Sequence, residues 1–363
     1  MDEARDIVKL ALPFTAGILS FSCFSPTLQH TYEAAFASLI LLSVLIASLL
    51  LHGRKSKPII NGKIIITGYL AGIFVHSTAQ LCGLTQSDGR TLIDAVSGAG
   101  LAMQQNIDSI AFRSYDTNAL IKALLTGNRQ DLSQETANAF RESGSAHILA
   151  LSGLHLGIIY MIISKLTGLA GGHPKATLIR SAICMTTCSA YSFATGAGSS
   201  ITRALIFIII GEVTRLLHRK SDLKTVLSTS LIIHLTLNPT DITSAGFQLS
   251  YAAIAGIAWI FPWLRSIWPD DGGGILKRIW ESAALSISCQ LTTGSIAWLY
   301  FGTFPQYFIL TNLIALPLTS LIIPAALLTL LLNTMGICPR LLIQGTEMLT
   351  DALCEALGII ASM

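Results

Sequence analysis

Charged side chains are scarce in this sequence. Aspartate, glutamate, lysine and arginine together make up 12% of its 363 residues, whereas ordinary soluble domains carry roughly a quarter. So few charges cannot cover a water-exposed surface, which excludes a soluble globular domain, a coiled coil and a disordered chain. Hydrophobic residues make up 52% of the chain, and its mean hydropathy is +0.63. At about 20 apolar residues per membrane span, this length predicts an all-α, polytopic membrane helix bundle of about ten transmembrane helices.

The sequence also lacks the motifs of several chemistries. It contains no phosphate-binding loop and no glycine-rich dinucleotide fingerprint, and its seven cysteines form no Cys-x-x-Cys pair. No two histidines stand with a carboxylate at zinc-ligand spacing, and no pair of carboxylates falls inside an apolar run. These absences argue against an ATPase, a metal-dependent hydrolase and a proton-driven carboxylate relay. We therefore expect no cofactor, no metal and no enzymatic activity in this chain.

Apolar runs, loop charges and one long polar stretch divide the chain into four parts. We predict a three-helix membrane region over 1–82, an outer-side segment with amphipathic helices over 83–144, a larger helical membrane domain over 145–334, and an amphipathic, interfacial helix over 335–363. If successive spans alternate in direction, most basic loop residues fall on one side, and basic loops stay in the cytoplasm. This alternation predicts a cytoplasmic N-terminus in a multi-pass protein of the lipid bilayer.

Among the predicted membrane spans, the first span of the large membrane domain contains the most polar residues. On a continuous helix over 145–167, His147 and His155 share one face and Ser152 lies beside them. Gly153 and Gly157 form a small-xxx-small pair that lets another helix approach closely, so we assign them to helix packing. Polar groups in hydrocarbon cost several kcal/mol each unless they are bonded or hydrated. Either these histidines tie helices together, or they line a polar path.

More polar residues and helix breakers follow in later runs. Glycine or proline at 196, 198, 239, 317 and 324 predicts broken helices, which are tolerated at membrane depth only where protein or water satisfies the freed backbone. Each residue alone is explained by a kink or an interhelical hydrogen bond, but together they favour a polar cavity. The candidate lining residues are His147, Ser152, His155, Tyr191, Arg203, Gln248, Ser250, Tyr251 and Asn312.

Several of these segments resemble the competence domain of the ComEC family of DNA-uptake channels, in the family's order. The resemblance covers about 117–334. Its most specific part is Gly127-Asn128-Arg129, followed by the run from His147 to Gly157, which is similar to the family's His-Leu-Leu-Ala-Ile-Ser-Gly-Leu-His-Val-Gly. The other matching pieces are Ser199 to Ala204, Asn238-Pro239, Gly246 to Tyr251, and Asn312 to Pro317.

This resemblance implies a competence-type channel domain over 145–334 in the bacterial inner membrane, passing single-stranded DNA into the cytoplasm during natural transformation. It further implies a periplasmic DNA receptor and a cytoplasmic helicase-like ATPase as partners. Typical family members also carry a small β-barrel of OB type and a metallo-β-lactamase-like domain. Neither is expected in this sequence, so separate OB-type or nuclease subunits are possible partners.

Two other classes of function remain open. A secondary transporter of a small solute also uses broken helices and polar groups near the bilayer midplane. An intramembrane hydrolase would use Ser152 as a nucleophile. On a continuous helix Ser152 and His155 point about 60° apart at 100° per residue, so the base of such a hydrolase would come from another span.

Overall fold

The structure, a computed structural model, describes most of the chain. The described residues are 2–24, 31, 34–35, 37–43, 57–81, 90–149, 151–168, 174–218, 222–268, 274–302, 307–337 and 339–363. Across these ranges the regular structure is helical and contains no strand. The predicted all-α fold is therefore confirmed. Of the three-helix membrane region predicted over 1–82, residues 44–56 lie outside the described residues.

The helices are labelled α1 to α15 in chain order. A 3₁₀ helix, Pro239–Thr243, lies between α10 and α11. The α-helices are α1 Asp2–Phe24, α2 Lys57–Leu81, α3 Arg90–Ser109, α4 Tyr115–Thr126, α5 Gln134–Glu142, α6 Ala146–Leu149, α7 Gly153–Gly168, α8 Pro174–Ala194, α9 Ser199–Leu216, α10 Leu223–Leu237, α11 Ala245–Trp259, α12 Phe261–Arg265, α13 Ile275–Phe301, α14 Phe308–Thr334 and α15 Arg340–Ala361.

The chain forms two compact units. The first unit contains residues Met1–Gly89 and Ile209–Tyr251, and the second contains Arg90–Ile208 and Ala252–Met363. In the first unit α1 packs closely on α2 and also contacts α10. Glycines allow this approach, because a Cβ atom added at Gly17 would lie 2.1 Å from the carbonyl oxygen of Tyr69.

The core of the second unit is built from short and long helices together. Leu120 and Leu124 of α4 are almost completely buried against Ile322 of α14 and against Leu353 and Leu357 of α15. Helix α4 belongs to the part of the chain that we predicted to lie on the outer side as amphipathic helices. Most of α4 is in fact buried, because α14 and α15 cover both its flanks.

One expectation about the C-terminal third is wrong. Helix α14 runs without interruption through Pro317 and Pro324, since neighbouring turns of a long, packed helix can tolerate the lost hydrogen bonds. Helix α15 is amphipathic as expected, and its Glu347 is buried and accepts a hydrogen bond from the backbone N–H of Arg113. The acidic residues on its exposed face are Asp351 and Glu355.

Helix length and hydropathy identify one candidate membrane span among the described residues, Phe308–Thr334. Shorter apolar helices occur at Ile7–Cys23, Gly153–Gly168 and Leu223–Leu237. The structure therefore supports the helical part of the sequence-based prediction, whereas a bundle of about ten spans stays a prediction.

The contact between α11 and α13 in the second unit depends on a glycine. A Cβ atom at Gly256 would lie 2.3 Å from the carbonyl oxygen of Ser288 and 2.7 Å from Thr292 Oγ1. Backbone cannot yield as a flexible side chain can, so Gly256→Ala is expected to lower the free energy of unfolding by about 1–2 kcal/mol despite the better helix propensity of alanine.

Thermal unfolding of the detergent-solubilised protein, followed by tryptophan fluorescence, measures this loss. Gly211→Ala is the matched control, because no atom of the described residues lies within 4 Å of a Cβ at that helical position. The control should be neutral or stabilising by about 1 kcal/mol. Equal unfolding temperatures for the two variants would contradict the close contact at Gly256.

Candidate functional site

The candidate site is an interruption between α6 and α7. Helix α6 ends at Leu149 and α7 begins at Gly153, so the prediction of one continuous helix over 145–167 is wrong. His147 and His155 consequently do not share one helix face. His147 is exposed, and its Nδ1 lies 3.2 Å from the carbonyl oxygen of Gly144, whereas His155 is fully buried.

Ser152 and His155 cap the start of α7. The backbone N–H of Ser152 donates to His155 Nδ1 at 3.1 Å, and the Ser152 Oγ lies 3.0 Å from the same nitrogen. This arrangement matches a capping box, in which the side chain at the third helical position accepts the N–H of the capping residue. Because the backbone donor requires an unprotonated Nδ1, the neutral ring carries its proton on Nε2.

This geometry bears on the hydrolase alternative. His155 reaches Ser152 within the same segment, although on a continuous helix the two side chains would point about 60° apart. A general base must take up the hydroxyl proton, but a proton on Nδ1 would face the backbone N–H of Ser152. The contact is therefore that of a helix cap, and it does not favour nucleophilic catalysis.

A loop from the second half of the outer segment packs against the interruption. Gly127 ends α4 in the left-handed region with φ of 77°, and a Cβ atom there would lie 2.7 Å from Leu151 Cδ1. The Arg129 Nε–H donates to the carbonyl oxygen of Leu149 at 3.1 Å. Arg129 thus satisfies a carbonyl that the interrupted helix leaves without its usual partner.

The turn before α6 is fixed by hydroxyl groups. Thr311 Oγ1 donates to the carbonyl oxygen of Ser143 at 2.8 Å, which joins the start of α14 to this turn. Ser143 Oγ and Ser145 Oγ lie 2.8 Å apart. Asn312, a predicted lining residue, is the half-buried neighbour of Thr311. The hydroxyl of Thr311, rather than the amide of Asn312, makes the contact that positions the turn.

Helix α9 meets the interruption from another side. A Cβ atom at Gly153 would lie 3.3 Å from Ala204 Cβ, and Arg203, the residue before Ala204, is only 2% exposed. This approach is consistent with the packing role predicted for Gly153, whereas no described atom lies within 4 Å of a Cβ at Gly157; both roles stay predictions. Tyr191 donates its hydroxyl to the carbonyl oxygen of Leu125 at 2.7 Å.

The remaining predicted lining residues belong to the first unit. Tyr251 contacts Phe247, with ring centroids 4.5 Å apart, and its hydroxyl lies 3.2 Å from Ser230 Oγ. Gln248 donates its side-chain amide to the carbonyl oxygen of Ile242 at 2.9 Å. Ser250 is half-buried. These contacts stabilise the turn after Asn238-Pro239, and a lining role for these three residues stays a prediction.

Two contacts between ionisable side chains were not predicted from the sequence. In the first unit His234 Nε2 lies 2.8 Å from Asp241 Oδ2. In the second unit Lys122 of α4 lies 2.5 Å from Asp108 Oδ1 and 2.8 Å from Asp131 Oδ2. A lysine inside the apolar run of α4 was a signal for such a pair, because lysine is almost never buried without a partner.

Lys122 joins three segments of the second unit. Burial alone lowers the pKa of its ammonium group, but hydrogen bonds and charge attraction from Asp108 and Asp131 outweigh burial and raise the pKa above the ordinary lysine value. The ammonium group is therefore charged at neutral pH. Asp131 lies in the loop that carries Arg129, so this cluster holds that loop beside α4.

The fold and the site define an all-helical protein built around an interrupted helix. The chain belongs to the competence protein family, whose model matches residues 124–363. This match confirms the resemblance to the ComEC family predicted from the motifs, and it contains the interruption, Arg129 and Arg203. Membership in this family supports a role in competence and suggests a membrane protein.

Two curated relatives resemble the chain. Over 246 residues it is 26% identical to the uncharacterized protein YcaI of Escherichia coli. This match covers 65% of the present chain and 32% of the relative. Over 226 residues it is 27% identical to ComE operon protein 3 of Bacillus subtilis. This match covers 61% of the present chain and 27% of the relative. The matched segment thus spans about a third or less of these relatives. No solved structure matches the chain significantly.

Proposed function

We propose that this chain is the channel-forming part of an inner-membrane system that imports single-stranded DNA during natural transformation. The observation that carries the proposal is the family match over 124–363, which contains the interrupted helix. In the proposed arrangement about ten helices span the bilayer, the N-terminus is cytoplasmic, and residues 145–334 form the path for the strand.

The distribution of polarity supports a membrane location. Large apolar side chains are exposed along the surface of the second unit, including Leu299 of α13, which is 75% exposed. Polar side chains such as Arg203, His155 and Thr319 are buried. Contiguous apolar surface of this kind is rare on soluble monomers, whereas a bilayer accommodates it and places polar groups inside the bundle.

An interrupted helix also suits a path for a polyanion. Non-helical backbone at membrane depth occurs where protein or a hydrated cavity satisfies it. Conduction requires weak binding, so a path lined with hydroxyl and amide groups and few cations releases phosphates more readily than one rich in lysine. One buried arginine, Arg203, beside the interruption fits this requirement.

The energy source is proposed to lie outside this chain. Inward movement of a negative charge against an inside-negative potential costs about 2.3 kcal/mol per 100 mV. The sequence contains no nucleotide-binding motif, so we propose a helicase-like ATPase in the cytoplasm and a DNA receptor in the periplasm. OB-type and nuclease subunits are proposed as further partners.

Deletion of the gene in a naturally transformable host tests the proposal. Transformation by extracellular DNA is expected to be lost, while binding of labelled DNA at the cell surface is retained, because the receptor acts before the channel. Arg203→Glu should reduce transformation by about tenfold or more, as it places a negative charge near passing phosphates, and Arg203→Lys should reduce it less.

Membrane fractions establish that each variant accumulates to the wild-type level. Unchanged transformation after deletion in a host with one copy of the gene would contradict the proposed function. A small-solute transporter would instead leave transformation intact.

A further inference from the structure

His155 presents a buried donor that no described side chain or backbone group accepts. The ring is fully buried, and Ser152 supplies two donors to its Nδ1. The proton of the neutral ring is therefore on Nε2, and Nε2 has no hydrogen-bond partner among the described residues. Buried donors are nearly always paired in folded proteins, so an unpaired one indicates a bound acceptor.

The surroundings of His155 favour an anionic acceptor. Helix α7 is sixteen residues long and begins two residues before His155. The amides of Gly153 and Leu154 in its first turn have no intrahelical acceptors, and amide groups at a helix start bind phosphate oxygens.

The interruption also offers access to this region. Ser152 is half-buried and Gly153 is exposed, whereas His155, one turn later, is fully buried. A ligand that approaches the exposed backbone at 152–153 therefore meets the start of α7 before it reaches the histidine.

We infer that the start of α7 binds one phosphodiester group of the imported strand, with the Nε2–H of His155 as its side-chain donor. The inference rests on the proposed function and adds a binding site to it. The imidazole acts here as a neutral donor whose tautomer is set by Ser152. It contributes one hydrogen bond without adding a permanent charge, which suits a site that must release each phosphate.

Two substitutions of His155 separate its donor role from its capping role. In His155→Gln the amide oxygen can accept the Ser152 N–H while the amide nitrogen remains a donor. In His155→Glu the carboxylate forms the usual capping box but offers no donor. Both variants should unfold at temperatures close to that of the wild type.

Uptake should distinguish these variants. Transformation is expected to stay within about threefold of the wild type in His155→Gln and to fall by about tenfold or more in His155→Glu, the range for losing a hydrogen bond to a charged group. His218→Glu is the matched control, because it adds the same charge at an exposed histidine that is not among the predicted lining residues. An equal loss in His218→Glu and His155→Glu would overturn the inference.

A binding measurement tests the site independently of uptake. The full chain, labelled with ¹⁵N-histidine and placed in lipid nanodiscs, is titrated with a short thymidine oligonucleotide and, separately, with inorganic phosphate. The Nε2 resonance of His155 is expected to shift with the oligonucleotide and to a smaller extent with phosphate. Assignment comes from the signal that is missing in His155→Gln.

The two proposals fail in different ways. If the gene is required for transformation but neither probe shifts the Nε2 resonance, the phosphodiester site is wrong and the channel proposal stands. If the resonance shifts with phosphate while deletion leaves transformation intact, the channel proposal is wrong and an anion site remains.

Discussion

Gly72→Leu is expected to prevent the close packing of α1 against α2 and to lower the free energy of unfolding by about 3 kcal/mol or more. A Cβ atom at Gly72 would lie 2.1 Å from the carbonyl oxygen of Phe14 and 3.0 Å from the backbone nitrogen of Ile18. Both neighbours are backbone, so the two helices would have to separate. Separation would also expose the contact at Gly17, which approaches Tyr69 at the same crossing.

Gly62→Leu is the control for this substitution. Gly62 lies on the same helix, α2, and no described atom lies within 4 Å of a Cβ at that position. The control adds the same side chain to the same helix without the collision. Thermal unfolding of both purified proteins measures the difference. If both leucine variants unfold at the same temperature, α1 and α2 do not meet through Gly72.

Lys122→Met is expected to destabilise the second unit by about 2–3 kcal/mol. Breaking a buried ion pair by removing one partner costs about 3–5 kcal/mol, but the carboxylates are 52% exposed at Asp108 and 35% exposed at Asp131, so solvent screening reduces the loss. Methionine fills a similar volume, and the effect therefore reports the lost charge contacts. Lys165→Met, at an exposed lysine of α7, should change stability by less than about 0.5 kcal/mol.

A double-mutant cycle with Asp131→Asn isolates the pair. The pKa of Lys122 is raised, so its contribution is complete below the ordinary lysine pKa and is lost as the pH rises through the folded-state pKa. The deficit of Lys122→Met should therefore be constant through the neutral range and shrink only at strongly alkaline pH. Additive effects of the two single substitutions would contradict a direct interaction between Lys122 and Asp131.

The Lys122 prediction concerns a support of the candidate site and not the site itself. The Lys122 cluster holds the loop of Arg129 beside α4, and Arg129 caps the interrupted helix at Leu149. Loss of Lys122 should therefore reduce uptake through a displaced loop, even though Lys122 makes no contact with Ser152 or His155 in the described structure.

Local patterns in the sequence predicted some helix interruptions correctly. Gly196 adopts a positive φ between α8 and α9, and Pro239 begins the 3₁₀ helix after α10. Glycine permits a positive φ, and proline fixes its own φ and lacks an N–H donor. Each residue therefore favours a helix end wherever it occurs. The sequence also carries a local signal for the α1–α2 contact, the small-xxx-small pair Gly68-x-x-x-Gly72.

Other features depended on residues far apart in the chain. The interruption after Leu149 contains no proline, and it is stabilised by Arg129 and by the packing of Gly127 on Leu151. Helix α14 continues through two prolines because surrounding helices support it. Distant partners of this kind leave no local pattern, so sequence analysis predicted the opposite outcome at both places.

The sequence by itself determined that the chain is helical, rich in apolar surface and related to competence proteins. Composition fixes how much apolar surface the chain must keep away from water, and short motifs are recognisable without knowledge of their distant partners. Only the tertiary structure decided which polar groups meet. It placed His155 on Ser152, Arg129 on Leu149 and Lys122 between two aspartates, since each pairing is selected by the cost of burying an unbonded polar group once the helices have packed.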